Sequence, residues 1–228
     1  VIIVKQIVWH ERTAFGALLT MAAGGLDAYS YLEHGEVFAG LQTGNLILFG
    51  VQLGQGHFAG SGRYLISLTA FFIGTIIVRA LQEHAWLGAH DKTRRETIVL
   101  YAAALLLVSA AISPWVSDQV ATVLLSIAAA AELQEFRRLN AGPFTPLMMT
   151  GNLRTLADSF FSATWRHDAA ASQQLRRTGT IMLTFAIGAG LVAFLRQWMS
   201  EFTVVVPAVG LLIAWGYLLM TPAETGDA

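Results

Sequence analysis

The chain has 228 residues, of which 55% are hydrophobic and only 13% charged. Soluble domains carry about 25% charged residues, so a mean hydropathy of +0.56 excludes an ordinary soluble domain and points to an all-α integral membrane protein. A net charge of −1 argues against a nucleic-acid partner, and zero Cys removes disulfides, thiolate metal sites and thiol catalysis.

The apolar start, Val1 to Trp9, is short and lacks a small-residue cleavage pattern, so no signal peptide is expected. A helix needs about 20 mostly apolar residues to cross the hydrocarbon core. Six stretches meet this: about Thr13–Leu32, Tyr64–Leu81, Ile98–Trp115, Val120–Phe136, Thr178–Trp198 and Val204–Met220. Gly24-Gly25 and Gly188-Ala189-Gly190 suit close helix packing in lipid. Tyr29, Tyr31, Trp86, Trp115, Trp165, Trp198 and Tyr217 fall near span ends, as in an interfacial aromatic belt.

Two further segments, Val37–Gly54 and Phe144–Trp165, carry the same motif: Thr43-Gly44-Asn45-Leu46 and Thr150-Gly151-Asn152-Leu153. At the same offset Ala22-Ala23 falls on Ala129-Ala130, Leu26 on Leu133, Asp27 on Gln134 and Gly35 on Gly142. After a seven-residue insertion, Phe71, Ile73, Gly74 and Leu81 fall on Phe185, Ile187, Gly188 and Leu195. The chain therefore reads as one membrane domain over residues 1–228, with one repeat at about 13–116 and a second at about 117–221. Gly44 and Gly151 interrupt a helix, and Pro143 and Pro146 keep the second approach non-helical. Each motif segment reads as an extended stretch followed by a short helix.

Charge decides between full crossing and re-entry, because Lys and Arg gather in cytoplasmic loops. If both motif segments cross, Lys5, Arg12, Arg63, Arg154, Arg166, Arg176 and Arg177 lie on one side. Arg79, Lys92, Arg94, Arg95, Arg137, Arg138 and Arg196 then lie on the other, with no bias. If both segments are re-entrant, only Arg63 and Arg196 remain outside, with the rest of the 14 basic residues inside. Each half then has three crossings, an odd number, so the halves form inverted repeats. Both termini are expected in the cytoplasm.

Irregular backbone at membrane depth is tolerated inside protein or beside a water-filled cavity. Short helices whose N-termini point to the midplane present free N–H groups there. Thr43, Asn45, Thr150 and Asn152 add hydroxyls and amides, and Gly44 and Gly151 allow close backbone approach. Two readings stand: helix caps without solute contact, or a shared substrate site between the halves. Asp27 lies inside the first span, where a carboxylate costs roughly 2.5–3.5 kcal/mol on insertion scales. It is a candidate proton-coupling residue, or a partner in a packing hydrogen bond. Gln134, its neutral equivalent, joins the candidate substrate site. Glu132 is a second candidate intramembrane carboxylate. Glu132, Glu135, Arg137 and Arg138 cluster at a span end, with the acids as local partners of the arginines. Arg154 and Asp158 are spaced to pair along one helix face. His57, His84, His90 and His167 lie in loops without metal-ligand spacing, so neither a metal nor a cofactor is expected.

Gly24-Gly25-Leu26-Asp27-Ala28, Val37-Phe38-Ala39 through Thr43-Gly44-Asn45, and Met149-Thr150-Gly151-Asn152-Leu153 resemble the YoaK-type family of bacterial membrane proteins of unknown function. The resemblance covers nearly the whole chain and implies an integral inner-membrane protein. It supplies no substrate and no catalytic residues. The family often has Met before the first Thr-Gly-Asn, where this chain has Gln42. Its second half often reads Gly-Leu-Gln-Asn, where this chain has Glu132-Leu133-Gln134-Glu135.

The expected function is transport of a small polar or anionic solute, bound between the repeats. A passive channel is the alternative, and a structural or assembly subunit a further one. The lipid bilayer is the expected surrounding, and homo-oligomerisation is left open. An enzyme is not expected, because no nucleophile, acid–base pair or metal cluster is evident beyond Asp27 with Glu132.

Overall fold

The computed structural model describes residues 12–84, 87, 90–139, 142–144, 146, 147 and 149–221. The Val1–Trp9 stretch, with Lys5, and Trp86 lie outside the described residues. The chain is α-helical, with helices α1 (Thr13–Glu33), α2 (Gln42–Gly54), α3 (Phe58–Glu83), α4 (Asp91–Ile112), α5 (Asp118–Glu135), α6 (Met149–Trp165), α7 (Ala169–Met199) and α8 (Val205–Leu219). One small hairpin pairs β1 (Arg138–Leu139) with β2 (Gly142–Pro143). Each of the six expected spans coincides with a helix, although α3, α4 and α7 begin several residues earlier.

Among the described residues three helical stretches are long and apolar enough to cross a membrane: Phe58–Glu83, Asp91–Trp115 and Ala169–Leu219. The last has 51 residues, about 77 Å if straight, against a hydrocarbon core of about 30 Å. Ser200, at φ 47° and ψ −127°, divides it into α7 and α8. Helices α1 and α5 turn polar groups inward: Thr20, Asp27 and Ser30 on α1, and Thr122, Ser126 and Glu132 on α5. The outside of the bundle is the reverse. Leu46, Ile47, Phe72, Ile76, Leu183 and Phe194 are all exposed. Contiguous apolar surface of that kind is a liability in water and the natural face of helices in lipid.

Contacts along the helices fix their directions. Phe15, near the start of α1, meets Phe136 just past the end of α5, with ring centroids 5.2 Å apart. His34, just past the end of α1, lies 3.2 Å from Asp118 at the start of α5. Helices α1 and α5 are therefore antiparallel. Helix α7 runs parallel to α1, since Thr20 shares a 2.8 Å hydrogen bond with Thr184 and Arg196 pairs with Glu33. Helix α3 runs parallel to α5, since Ser67 lies 2.9 Å from Ser126 and the Gln82 amide donates to Glu135 at 2.7 Å. Lys92, at the start of α4, donates to the Thr221 carbonyl past the end of α8, so those two are antiparallel. Two ends of the bundle are thus defined, one at Glu33 and one at Glu135.

The duplicated sequence maps α1–α4 onto α5–α8, and the packing follows the same exchange. Helix α1 packs on α7 and α8; α5 packs on α3 and α4; α4 and α8 pack on each other. The tightest crossing joins α1 to α7. A Cβ placed on Gly24 would lie 2.1 Å from the Phe185 carbonyl oxygen, and one on Gly188 would lie 1.9 Å from that of Met21. At the equivalent crossing Gly74 of α3 faces Ile127 and Ala130 of α5 at 3.0 Å. There Ala131 stands where α1 has Gly24, and the helices sit farther apart.

Candidate functional site: a buried polar centre

After α1 the chain turns back along that helix. Ser30 donates to the Val37 carbonyl at 2.7 Å. The Gly40 amide donates to Oδ1 of Asp27 at 2.7 Å, and the Leu41 amide to the same oxygen at 3.3 Å. Asp27 sits six residues before the end of α1 at Glu33, which is about 9 Å of helix rise. The carboxylate thus holds the approach segment well inside the bundle.

The first Thr-Gly-Asn motif completes that attachment. Asn45 is fully buried. Its Oδ1 accepts from the Phe38 amide at 2.9 Å, and its Nδ2 donates to the Phe38 carbonyl at 2.7 Å. The same Nδ2 lies 3.0 Å from both Gln42 Oε1 and Ser67 Oγ. Ser67 in turn meets Ser126 of the opposite half. Gly44 leaves room for the Phe38 ring, which would lie 3.0 Å from a Cβ there. Neither Thr43 nor Asn45 caps α2, because the helix begins at Gln42 and its N-cap, Leu41, makes no side-chain cap bond. Asn45 is a positioning residue: it fixes the approach segment against α2 and α3. Thr43 is exposed.

Glu132, on the antiparallel helix α5 that packs on α1, is the second buried carboxylate of this centre. Asp27 is 5% exposed and Glu132 1%. Among the described residues Asp27 Oδ2 and both oxygens of Glu132 have no hydrogen-bond partner. An unmet buried carboxylate is among the most costly groups in a fold. Beside this pair the two approach segments touch. Leu147, itself buried, packs on Gly40, and a Cβ at Gly40 would be 2.6 Å from Leu147 Cδ2.

The second motif stands apart from this centre. Helix α6 begins at Met149 and packs on α7. Asn152 lies 3.5 Å from Met149 Sδ and lines a cavity of about 40 Å³ with Phe144, Gln174, Arg177 and Thr178. None of its lining residues belongs to the Asn45 network. Thr150 and Gly151 are exposed. Gln134 is elsewhere again: its amide donates to Gln82 at 3.1 Å, at the Glu135 end. Glu135 pairs with Arg94 at 3.1 Å and Arg95 at 3.9 Å, partners on α4 that proximity in sequence to Arg137 and Arg138 does not reveal. Arg154 and Asp158 pair at 3.9 Å on the exposed face of α6. Trp115, Trp165 and Trp198 are exposed as an interfacial belt requires, whereas Tyr29 is buried and donates to the Glu201 carbonyl at 2.7 Å.

Sequence reasoning missed Gly40, Leu147, Ser67 and Ser126. One signal for the first two was available: they fall on one another in the register that aligns the motifs.

Apolar outward faces, polar inward groups and two halves with exchanged packing define a multi-pass α-helical membrane protein. The chain belongs to the family described as protein of unknown function (DUF1275), whose model matches residues 15–217. It is 26% identical over 207 residues to the UPF0700 transmembrane protein YoaK of Bacillus subtilis (strain 168), covering 87% of this chain and 90% of that protein. No solved structure matches.

Proposed function

We propose that the protein is a carrier for a small polar solute, built as two inverted repeats of three crossings and one re-entrant helix each. The observation that carries this reading is the pair formed by Asp27 and Glu132. The two come from the first helix of each half, are almost fully buried and have unmet oxygens beside the point where the approach segments meet. A protein that leaves carboxylates unmet inside a membrane gains most when a proton or a polar ligand completes them. In this reading Asp27 and Glu132 carry the coupled proton, and solute binds beside Gly40. Asn45 and the Thr43-Gly44 turn hold the first segment in place. A neutral or cationic solute suits two acids better than an anionic one.

The opposed directions of α1 and α5, and of α4 and α8, support inversion. Re-entry is supported by length and by attachment. Helix α2, at 13 residues, is about 20 Å long, short of the roughly 30 Å core. It starts level with Asp27, and the α3 that follows begins at the Glu33 end. Helix α6, at 17 residues, is about 26 Å long. Orientation follows from charge: Arg63 and Arg196 sit with Glu36 and Glu33 at one end. Lys92, Arg94, Arg95, Arg137 and Arg138 gather at the other, which is the cytoplasmic end by the positive-inside rule. Movement of one half against the other across the Gly40–Leu147 contact would alternate access. No catalytic step, metal or cofactor enters this proposal.

The test is solute uptake by proteoliposomes under an imposed pH gradient, screened across small polar solutes. A carrier gives saturable uptake driven by the gradient, and Asp27→Asn or Glu132→Gln uncouples it. Non-saturating flux, indifferent to the gradient in all three proteins, replaces the carrier with a passive channel.

A further inference from the structure

The two halves treat one arginine differently. In the register of the third helices, Arg63 falls on Arg177. Arg63 has a counter-charge within the chain: it lies 3.9 Å from the Glu36 carboxylate, donates to the Tyr64 hydroxyl at 2.9 Å and stands over the Tyr64 ring, leaving its Nε without a hydrogen-bond partner among the described residues. At the corresponding places the second half has Pro143 for Glu36 and Thr178 for Tyr64. Among the described residues Arg177 has no carboxylate partner, and it faces the cavity of about 40 Å³ instead.

That cavity sets polar donors beside the apolar side chains of Leu139, Phe144 and Ile181. Gln174 donates to the Thr178 hydroxyl oxygen at 3.1 Å, which leaves the hydroxyl proton of Thr178 free to donate. Thr178 is 6% exposed. Asn152 contributes its amide, and the lining contains no acidic residue. A water needs about 10–15 Å³ of such space, so the volume accepts roughly three water-sized atoms. That matches the free oxygens of one tetrahedral anionic group and is too small for a whole organic solute. The cavity opens near the start of α7, at the end where the basic residues gather.

We propose that Arg177, Thr178 and Asn152 bind a phosphate-type anion at this end of the protein, either the phosphate of an anionic lipid headgroup or a free phosphate. The anion supplies the negative charge that Glu36 supplies to Arg63. This site is independent of the Asp27–Glu132 centre and stands whether or not solute flux is found.

The experiment uses purified full-length protein in two arms. In the first, nanodiscs of phosphatidylcholine are compared with nanodiscs containing phosphatidylglycerol, and retained lipid is counted by native mass spectrometry. In the second, inorganic phosphate is titrated onto the protein in phosphatidylcholine nanodiscs and thermal stabilisation is read. Binding in either arm that weakens about tenfold or more in Arg177→Gln, and persists in Arg176→Gln, supports the site; the responding arm identifies the source. Asn152→Asp keeps Arg177 but adds an opposing charge, and should weaken binding as strongly while the fold is retained. Absence of binding in both arms, or equal loss in Arg176→Gln and Arg177→Gln, overturns the proposal.

Discussion

Gly40 and Leu147 occupy the same position in the two halves of the chain, and they touch each other. Leu147 fills the space that a side chain on Gly40 would take, with Cδ2 2.6 Å from a Cβ built there. The two approach segments meet at this contact. Gly40→Ala should destabilise the protein by about 1–3 kcal/mol through overpacking. Leu147→Ala in the same chain should recover most of that, because the two changes share one space. Thermal unfolding of the single and double variants in detergent reads the coupling; simple additivity would disprove the contact.

The α1–α7 crossing predicts a steeper response. An added Cβ at Gly24 or Gly188 meets backbone carbonyl oxygens, which cannot rotate aside. Gly24→Ala or Gly188→Ala should separate the helices and lose most of the folded protein in size-exclusion chromatography. Gly50 and Gly190 have nothing within 4 Å of an added Cβ, so Ala there should be neutral or stabilising by up to about 1 kcal/mol.

Asn45→Ala leaves the Phe38 amide without its side-chain partner, while the Phe38 carbonyl keeps the Ser67 hydroxyl at 2.9 Å. An unmet buried group costs about 1–3 kcal/mol, so the variant should lose about that much. The approach segment at residues 37–41 should open first. Hydrogen exchange of the Phe38, Gly40 and Leu41 amides is the measurement, and unchanged protection at Phe38 would contradict the assigned role.

Stability and function should separate at Glu132. Its oxygens have no partner among the described residues, so Glu132→Met removes a group that stabilises nothing. Replacing a buried charge with a packed apolar side chain of similar size is often neutral or stabilising by about 1–4 kcal/mol. The melting temperature should hold or rise while proton-coupled uptake disappears. A marked fall in melting temperature would show that Glu132 has a structural partner.

Two ion pairs give opposite expectations. Glu135 is 2% exposed and faces Arg94 and Arg95, which are 14% and 13% exposed. Glu135→Ala removes a buried partner of both arginines, which keep Asp91, and should cost about 1.5–3 kcal/mol. Arg154 and Asp158 are 87% and 77% exposed at 3.9 Å, and Asp158→Ala should change stability by less than about 1 kcal/mol. Denaturant or thermal melts of the two variants side by side check the contrast.

The long helices were legible because apolar length is a property of the sequence alone. The start of α2 and α6 at their motifs was legible for a similar reason: Gly, Pro and small polar residues interrupt the apolar pattern there. The function of Asn45 was not. Its partners are Phe38, seven residues back on irregular backbone, and Ser67 on another helix, and no local pattern joins them. Likewise Glu135 was expected to serve Arg137 and Arg138 beside it, but it reaches Arg94 and Arg95 on α4. Asp27 and Glu132 stood out singly as costly residues in apolar spans; their pairing depends on α1 and α5 lying side by side.

Had the halves been two separate, identical chains, the position on their common axis would have faced a copy of itself. Gly against Gly leaves a hole there, and Leu against Leu collides. A small residue can meet a large one at that place only when the two copies differ in sequence. The Gly40–Leu147 fit is thus one that two identical halves could not make, and the two halves differ in other places too. One half has Glu36 as counter-charge for its arginine where the other has Pro143, and one first helix carries Asp27 where its twin carries Gln134.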